Sequence, residues 1–398
     1  MPTKSAGEKI LEKLNNAGYA AYYVGGMVRD SLLGNTIYDI DITTQATPQQ
    51  ILNLFEKAIP TGLKHGTVTV VADKENIEVT TFRLDGDYLD ARHPEKVTFT
   101  DSLHIDLARR DFTINAMAKN IDGLIIDPFN GKIDLKEKKI RAVGLPIKRF
   151  EEDALRILRG FRFVAKLGFD IEEETLQAMI SCCHLIKKLS FERIRKELEE
   201  IINGKYRYKA LKLMRDTNLY NNIPYFETFA NFSDTEIQRL ADFKLIILLI
   251  AKNRSIREKF LEEFPLTKSE KKLIKNIDTI IHDYNYLDEA NQIEKDKLIQ
   301  YYYSTDMVKM LKKCIYFKDC YNDQTRTFIP YDLPIKDSSE IIIKPKEIIK
   351  LSKLSPGNWL SELLTVMQNQ IILENITNER QELIKFMQER GIIDVEKD

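Results

Sequence analysis

The period of the hydrophobic pattern changes once along this chain, near residue 140, and that change sets what it can fold into. Before it, short runs such as Thr67 to Ala72 and Asn76 to Arg83 alternate apolar and polar residues and read as half-buried strands. They are interleaved with helical segments such as Pro48 to Lys57, and glycines are frequent. A small mixed sheet with helices is the expected architecture of residues 1–140. After it, apolar residues recur at helical spacing in Phe150 to Leu167, Glu172 to Ile180 and Phe191 to Ile202, then through a Leu, Ile and Lys-rich stretch to the end. The fold class is therefore α+β, with an all-α remainder. Pro330 and Pro334 interrupt the helical pattern between Thr327 and Lys336, Ser355-Pro356-Gly357 marks a further turn, and no period of 20 to 50 residues recurs.

At 398 residues and 43% hydrophobic, the chain is long for one domain, so two to four units are expected. Its apolar stretches are short and broken by charge, and Met1-Pro2-Thr3-Lys4-Ser5 carries no apolar run. Neither a membrane span nor a signal peptide is expected, and a cytoplasmic location follows. Cys182 and Cys183, with distant Cys314 and Cys320, match no zinc spacing and read as reduced thiols; the five histidines add no metal motif. With a net charge of −1, any nucleic-acid partner must be held by a local basic patch.

Two aspartates, Asp39 and Asp41, follow soon after the turn Gly25-Gly26-Met27-Val28-Arg29-Asp30. In Tyr38-Asp39-Ile40-Asp41-Ile42 the alternation predicts a strand that presents both carboxylates on one face. Carboxylates so spaced can share divalent metal, since a two-metal site needs oxygen donors reaching ions roughly 3.5 to 4 Å apart. Gly25 and Gly26 end the apolar strand Ala20 to Val24 and start the helical segment Met27 to Leu33, so bare backbone NH groups can approach a triphosphate there. Arg29 can fork onto phosphate oxygens. Taken singly, a Gly-Gly is a tight turn and an Asp-x-Asp a solvated face; in this order the two suggest phosphoryl transfer.

Those residues, with Leu32-Leu33-Gly34 and Asp39-Ile40-Asp41-Ile42-Thr43-Thr44, resemble the polymerase-β-type nucleotidyltransferases, in particular the class II tRNA nucleotidyltransferase and poly(A) polymerase family. Arg109 to Met117 agrees without a break with the family's RRDFTINAM signature, in which Asp111 or Thr113 is expected to cap a short helix and Arg110 to contact triphosphate. Asp127-Pro128-Phe129-Asn130-Gly131 with Asp134-Leu135 matches a further family segment, a hinge or a plain Asp-Pro turn. The resemblance implies a catalytic head at 1–140, a nucleotide-selecting neck at 141–205, a body at 206–325 and a tRNA-binding tail at 326–398. It implies that Asp39 and Asp41 hold two Mg²⁺ ions, one activating the tRNA 3′-hydroxyl and one stabilising the leaving pyrophosphate, and that Gly26, Arg29 and Arg110 bind the triphosphate.

Arg149 to Phe163 points to the base. On a helix, Asp153, Arg156, Arg159 and Arg162 recur every three residues as a charged stripe, apart from Leu155, Leu158 and Phe161. A carboxylate accepts from an exocyclic amino group and a guanidinium donates to a ring nitrogen or carbonyl. Cytosine and adenine offer that pattern, whereas uracil and guanine leave polar groups unpaired, at about 1 to 3 kcal/mol per buried group. The Glu-Asp-x-x-Arg of residues 152–156 matches the family's amino-acid template, so Asp153 and Arg156 are expected to select CTP and ATP, with Arg159 and Arg162 on phosphates or sugar.

Residues 83–94 are polar and turn-rich and resemble the family's flexible loop, whose presence favours full CCA addition over stopping at CC. Ser190 to Leu198 resembles the last family motif, its charged residues expected to stabilise neck helices. Glu78 is either a third carboxylate near the metal pair or a positioning group. Lys344, Lys346, Lys350 and Lys353 read as a solvated face or as a grip on tRNA phosphates, and no His-Asp phosphohydrolase pattern is present. The expected function is template-independent addition of C, C and A to tRNA; a poly(A) polymerase or A-adding enzyme, and a non-catalytic RNA-binding protein, stay open, as does the oligomeric state, a homodimer included.

Overall fold

The computed structural model describes residues 5–37, 39–85, 97–275, 289–303, 314, 330–352, 354–355 and 357–393. Tyr38, Cys320, Lys353, Pro356 and residues 86–94 of the loop lie outside the described residues. The chain forms two compact units, Met1–Phe243 with Glu258–Pro265, and Lys244–Arg257 with Leu266–Asp398.

The first unit begins with α1 (Ala6–Asn16), fixed at its start by a capping box in which Ser5 and Glu8 exchange hydrogen bonds. Its apolar face, Ile10, Leu11 and Leu14, is fully buried. The sheet is built from β1 (Ala21–Val24), β2 (Asp41–Thr44), β3 (Ala58–Gly62), β4 (Thr67–Ala72) and β5 (Glu75–Thr81), with the short β8 (Ala118–Lys119) and β9 (Ile125–Ile126) at one edge. Its order is β3-β4-β5-β2-β1-β8-β9. Only β2 and β5 run parallel; the other pairs are antiparallel, so the sheet is mixed as the sequence pattern implies. Along β5, Ile77 and Val79 are buried while Glu78 is exposed, the period-two pattern of a strand with one packed face. β6 (Arg83–Asp85) pairs with β7 (Val97–Phe99), forming the stem that brackets residues 86–96.

Helices α2 (Gly26–Leu32), α3 (Pro48–Leu54), α4 (Leu103–Ala108) and α5 (Gly131–Glu137) complete the sheet region, and α6 (Pro146–Glu152) to α10 (Arg207–Asp216) follow. Of these, α7 (Leu155–Leu167), α8 (Glu173–Cys182) and α9 (Phe191–Asn203) are amphipathic, and α9 buries Ile194, Leu198, Ile201 and Ile202. The all-α expectation after residue 140 needs one correction: β11 (Asp170–Ile171) pairs in parallel with β10 (Lys139–Ile140). Two residues after the Gly168 turn are enough to satisfy that ladder, and they are too few to show a period of two.

The second unit's helices Pro345–Ser352, Asn358–Ile372 and Arg380–Glu389 enclose a core of Ile343, Ile348, Met367, Ile371, Leu383 and Met387. Lys346 and Lys350 are exposed, whereas Lys344 turns its ammonium onto the carbonyls of Ser339 and Ile341. Among the described residues no helix is long and apolar enough to cross a membrane.

Candidate active site

Strand β1 ends at Gly25, whose φ of 65° and ψ of −132° lie where L side chains are strained. A Cβ there would sit 3.3 Å from Arg110 Nη1 and 3.5 Å from Asp41 Oδ2. The turn thus passes within one side-chain carbon of both a cation and a carboxylate, and it delivers α2 with no side chain capping its first turn. The helix starts at Gly26, one residue before the expected Met27.

Asp41 opens β2 and stands opposite Glu78 of β5 in parallel register. The expected strand from Tyr38 to Ile42 is shorter than its alternation suggests. Pairing with β1 starts at Ile42 and with β5 at Asp41, so Asp39 precedes the ladder, exposed, on the segment that arrives from α2. Asp39 and Asp41 nevertheless line the same cleft. Burial pushes the Asp41 carboxyl up; Glu78 and Asp39 add to that rise and Arg110 opposes it. Among the described residues no three His, Cys, Asp or Glu side chains form a ready metal cage. Two crowded carboxylates suit Mg²⁺ all the same, because that ion keeps waters and takes one or two protein carboxylates together with substrate phosphates.

Arg109 and Arg110 follow α4 and are gathered by Asp106, which is fully buried. Asp106 accepts from Arg109 Nη2 at 2.9 Å and Arg110 Nη2 at 3.3 Å, and also from Thr43 of β2 and the Arg83 backbone N–H. Burial alone would raise its carboxyl; the two arginines bring it below the ordinary value. Arg110 keeps a buried Nε with no hydrogen-bond partner among the described residues, a donor suited to an added anion. The expected cap at Asp111 or Thr113 is absent: Thr113–Asn115 is a single 3₁₀ turn without a side-chain cap. Asp111 instead receives Arg159, the Asn115 amide and the Phe112 N–H, because at that buried position a guanidinium offsets the carboxylate charge, which an N-cap could not do alone. Arg29 is likewise committed: Nε and Nη2 fork onto Asp30, and Nη1 donates to Asn115. The ring of Phe163 packs beneath Arg29, Arg159 and Arg162, with guanidinium carbons 5.3, 5.6 and 5.4 Å from its centroid.

The stripe from Asp153 to Arg162 is not one helix. Helix α6 stops at Glu152, α7 starts at Leu155, and Asp153 between them is extended, with φ −145° and ψ 103°. The break has a local cause, since the Asp153 carboxylate accepts from the Leu155 N–H and so competes with helix continuation. Arg156 donates to Glu152 and to the carbonyls of Arg149 and Arg109, and Arg162 pairs with Glu197 of α9. Arg193 of α9, expected only to brace the neck, reaches into the cleft and pairs with Asp153. Nothing in its spacing singled it out, whereas Asp106, three and four residues before Arg109 and Arg110, carried a readable helical pairing signal.

Gly26, Arg29, Asp39, Asp41, Arg110, Asp153, Arg156, Arg159 and Arg162 all line one cleft of about 660 Å³. Eight arginines and Lys166 face five aspartates there, a local positive excess on a chain whose net charge is −1. A mixed sheet that presents two carboxylates beside a Gly-Gly turn, over a guanidinium-rich cleft, defines a nucleotidyltransferase of the poly(A) polymerase type. Residues 21–141 match the model of the "Poly A polymerase head domain", and residues 168–229 that of the "Probable RNA and SrmB- binding site of polymerase A". Residues 241–387 match a tRNA nucleotidyltransferase domain 2. The CCA-adding enzyme of Staphylococcus saprophyticus is 38% identical over 391 residues, 96% of this chain and 97% of that one. That of Bacillus pumilus is 36% identical over 386 residues, 95% of each. The Bacillus stearothermophilus CCA-adding enzyme, solved with CTP, superposes with a TM-score of 0.73 at 30% identity and covers 97% of both chains. This chain belongs to the CCA-adding enzymes.

Proposed function

We propose that this protein adds C, C and A, without a template, to the 3′ end of tRNA from CTP and ATP, releasing pyrophosphate. The observation that carries the reading is the meeting, in one cleft of a CCA-adding family member, of the Asp39 and Asp41 carboxylates with the Asp153 and Arg156 pair. Asp39 and Asp41 would hold Mg²⁺, which when bound supplies charge neutralisation at the reacting oxygens. Gly26, Arg29 and Arg110 bind the triphosphate: the Gly25-Gly26 turn lets backbone come close, the buried Arg110 Nε is the donor in waiting, and Arg29 braces the turn through Asp30 and Asn115. Asp153 accepts from the amino group of cytosine or adenine and Arg156 donates to the adjoining ring acceptor, so uracil and guanine leave buried groups unpaired. Arg159 and Arg162 face phosphate or sugar.

The partner is tRNA, docked through the helical segments after the head, with the division at 1–140, 141–205, 206–325 and 326–398 as working boundaries and Lys346 and Lys350 as phosphate contacts. The enzyme works in the cytoplasm. Incorporation of labelled CTP and ATP, separately and together, into tRNA transcripts ending before CCA, after C and after CC tests the reading. Three-nucleotide completion that stops, and is lost in an Asp39→Ala Asp41→Ala variant, is expected. Addition to the CC end alone would mean an A-adding enzyme, long A tails a poly(A) polymerase, and no incorporation a binding protein.

A further inference from the structure

Asp153 sits on the extended link between α6 and α7, where no helix fixes its carboxylate. The acid beside it is already engaged: Glu152 binds Arg149 on α6 and, across the break, Arg156 on α7. Asp153 finds its cation 40 residues on, at Arg193 of α9. Arg193 Nη2 donates to both carboxylate oxygens, at 3.1 Å to Oδ1 and 2.9 Å to Oδ2, while the Leu155 N–H takes Oδ1 at 3.0 Å. Oδ1 thus accepts two bonds and Oδ2 one, and the free capacity of the carboxylate is concentrated on Oδ2.

Helix α9 is a firm mount for this contact. Ile194, Leu198 and Ile201 anchor it in the core, and Glu197, one turn beyond Arg193, pairs with Arg162 of α7. A side chain on a packed helix therefore orients one on a non-helical link. Arg193 lines the cleft with Asp153 and Arg156, and its Nη1 is buried without a hydrogen-bond partner among the described residues. A buried guanidinium nitrogen left unpaired costs free energy unless something in the cleft accepts from it.

We infer that Arg193 is a specificity-determining positioning residue, holding the Asp153 carboxylate so that a single oxygen is left to accept a base amino group and offering Nη1 to an acceptor of the same nucleotide. The inference rests on the nucleotide-adding reading above. A carboxylate held this way can only accept, along one direction. Freed from Arg193 it turns about its own side-chain bonds, and the geometric penalty against an oxo-bearing base falls.

The test is single-nucleotide incorporation of CTP, UTP, ATP and GTP by the full chain, on transcripts ending before CCA and after CC, for wild type, Arg193→Met, Arg193→Lys, Asp153→Ala and the Asp153→Ala Arg193→Met double variant. In Arg193→Met, KM for CTP and ATP should rise roughly ten- to hundredfold, the size of a lost charged hydrogen bond, and preference for CTP over UTP should fall. Arg193→Lys should be intermediate, since a point charge attracts the carboxylate without the fork. The double variant should be no less selective than Asp153→Ala alone, because Arg193 acts through Asp153. Wild-type selectivity in Arg193→Met, or in Arg193→Lys should the Met variant not fold, would overturn the inference, as would full additivity in the double variant. Failure of wild type to incorporate either nucleotide would instead refute the nucleotide-adding reading, and unchanged selectivity in Asp153→Ala would refute the role of Asp153.

Discussion

Arg159 closes on Asp111 with two donors on one oxygen, Nε at 2.7 Å and Nη2 at 2.6 Å from Oδ2, and so ties helix α7 to the residue after Arg109 and Arg110. Burial would raise the Asp111 carboxyl, but Arg159, the Asn115 amide and the Phe112 N–H bring it down to about 2. The folded value lies below that of the unfolded chain, so the pair stabilises the fold above about pH 5 and loses that contribution as pH falls towards 2. Asp111→Asn should cost about 2 to 3 kcal/mol at pH 7. Urea unfolding at a series of pH values checks the origin: the gap between wild type and variant must close in acid, and a constant gap would mean that the charge is not its source.

Asp41 shows the opposite sign. Its carboxyl is raised by burial, with Glu78 and Asp39 adding to the rise, so at neutral pH the fold carries the cost of a crowded charge that the unfolded chain does not. Asp41→Asn removes that cost and should raise the Tm in metal-free buffer while lowering incorporation by at least about a thousandfold, the scale of several kcal/mol of lost charge stabilisation. Mg²⁺ should then raise the Tm of wild type, EDTA should reverse it, and neither should move the variant much. A less stable Asp41→Asn would show that the carboxylate holds the fold together.

How much of this was legible in the sequence depends on the range of each interaction. The period-two run Thr67 to Ala72 is a strand with those same bounds, and the helical period of Phe191 to Ile202 is α9 to within a residue, because both signals are local. The cleft residues were readable as motifs for the same reason. Spacing by three puts Asp153 on a helix because it carries no trace of the Leu155 N–H that the side chain captures. The sequence offers Arg193 only as a brace because its partner lies 40 residues away, and Asp111 only as a cap because Arg159 lies 48 residues on. Tertiary pairing of charges leaves no periodic mark, and it is what converts a row of arginines into a directed site.

Gly25 gives a sharper probe of that geometry. Its φ of 65° costs an L residue about 1 to 3 kcal/mol, and a methyl there would press on Arg110 Nη1 at 3.3 Å and meet Asp41 Oδ2 at 3.5 Å. Gly25→Ala should lower kcat/KM by roughly a hundredfold, as a shift of about 1 Å does in positioned sites, with only a modest fall in Tm. Steady-state kinetics beside thermal unfolding separates the two effects. A variant of normal kcat/KM would mean that the turn does not set the distance between Arg110 and Asp41.

Glu78 remains the carboxylate whose part the sequence left undecided, and its register opposite Asp41 makes the choice measurable. It is exposed on β5 between buried Ile77 and Val79, so its side chain does no packing that a glutamine could not do. If its charge helps Asp39 and Asp41 to attract cation, Glu78→Gln should leave the Tm nearly unchanged and raise the Mg²⁺ concentration for half-maximal rate by roughly tenfold, the usual scale for a neighbour of metal ligands. The same change should relieve part of the repulsion on Asp41, so Asp41→Asn should stabilise the Glu78→Gln background less than wild type. The expectation is that both shifts appear together, since one negative charge produces them. A Mg²⁺ titration identical to wild type would leave Glu78 no part beyond its place in the sheet between β4 and β2.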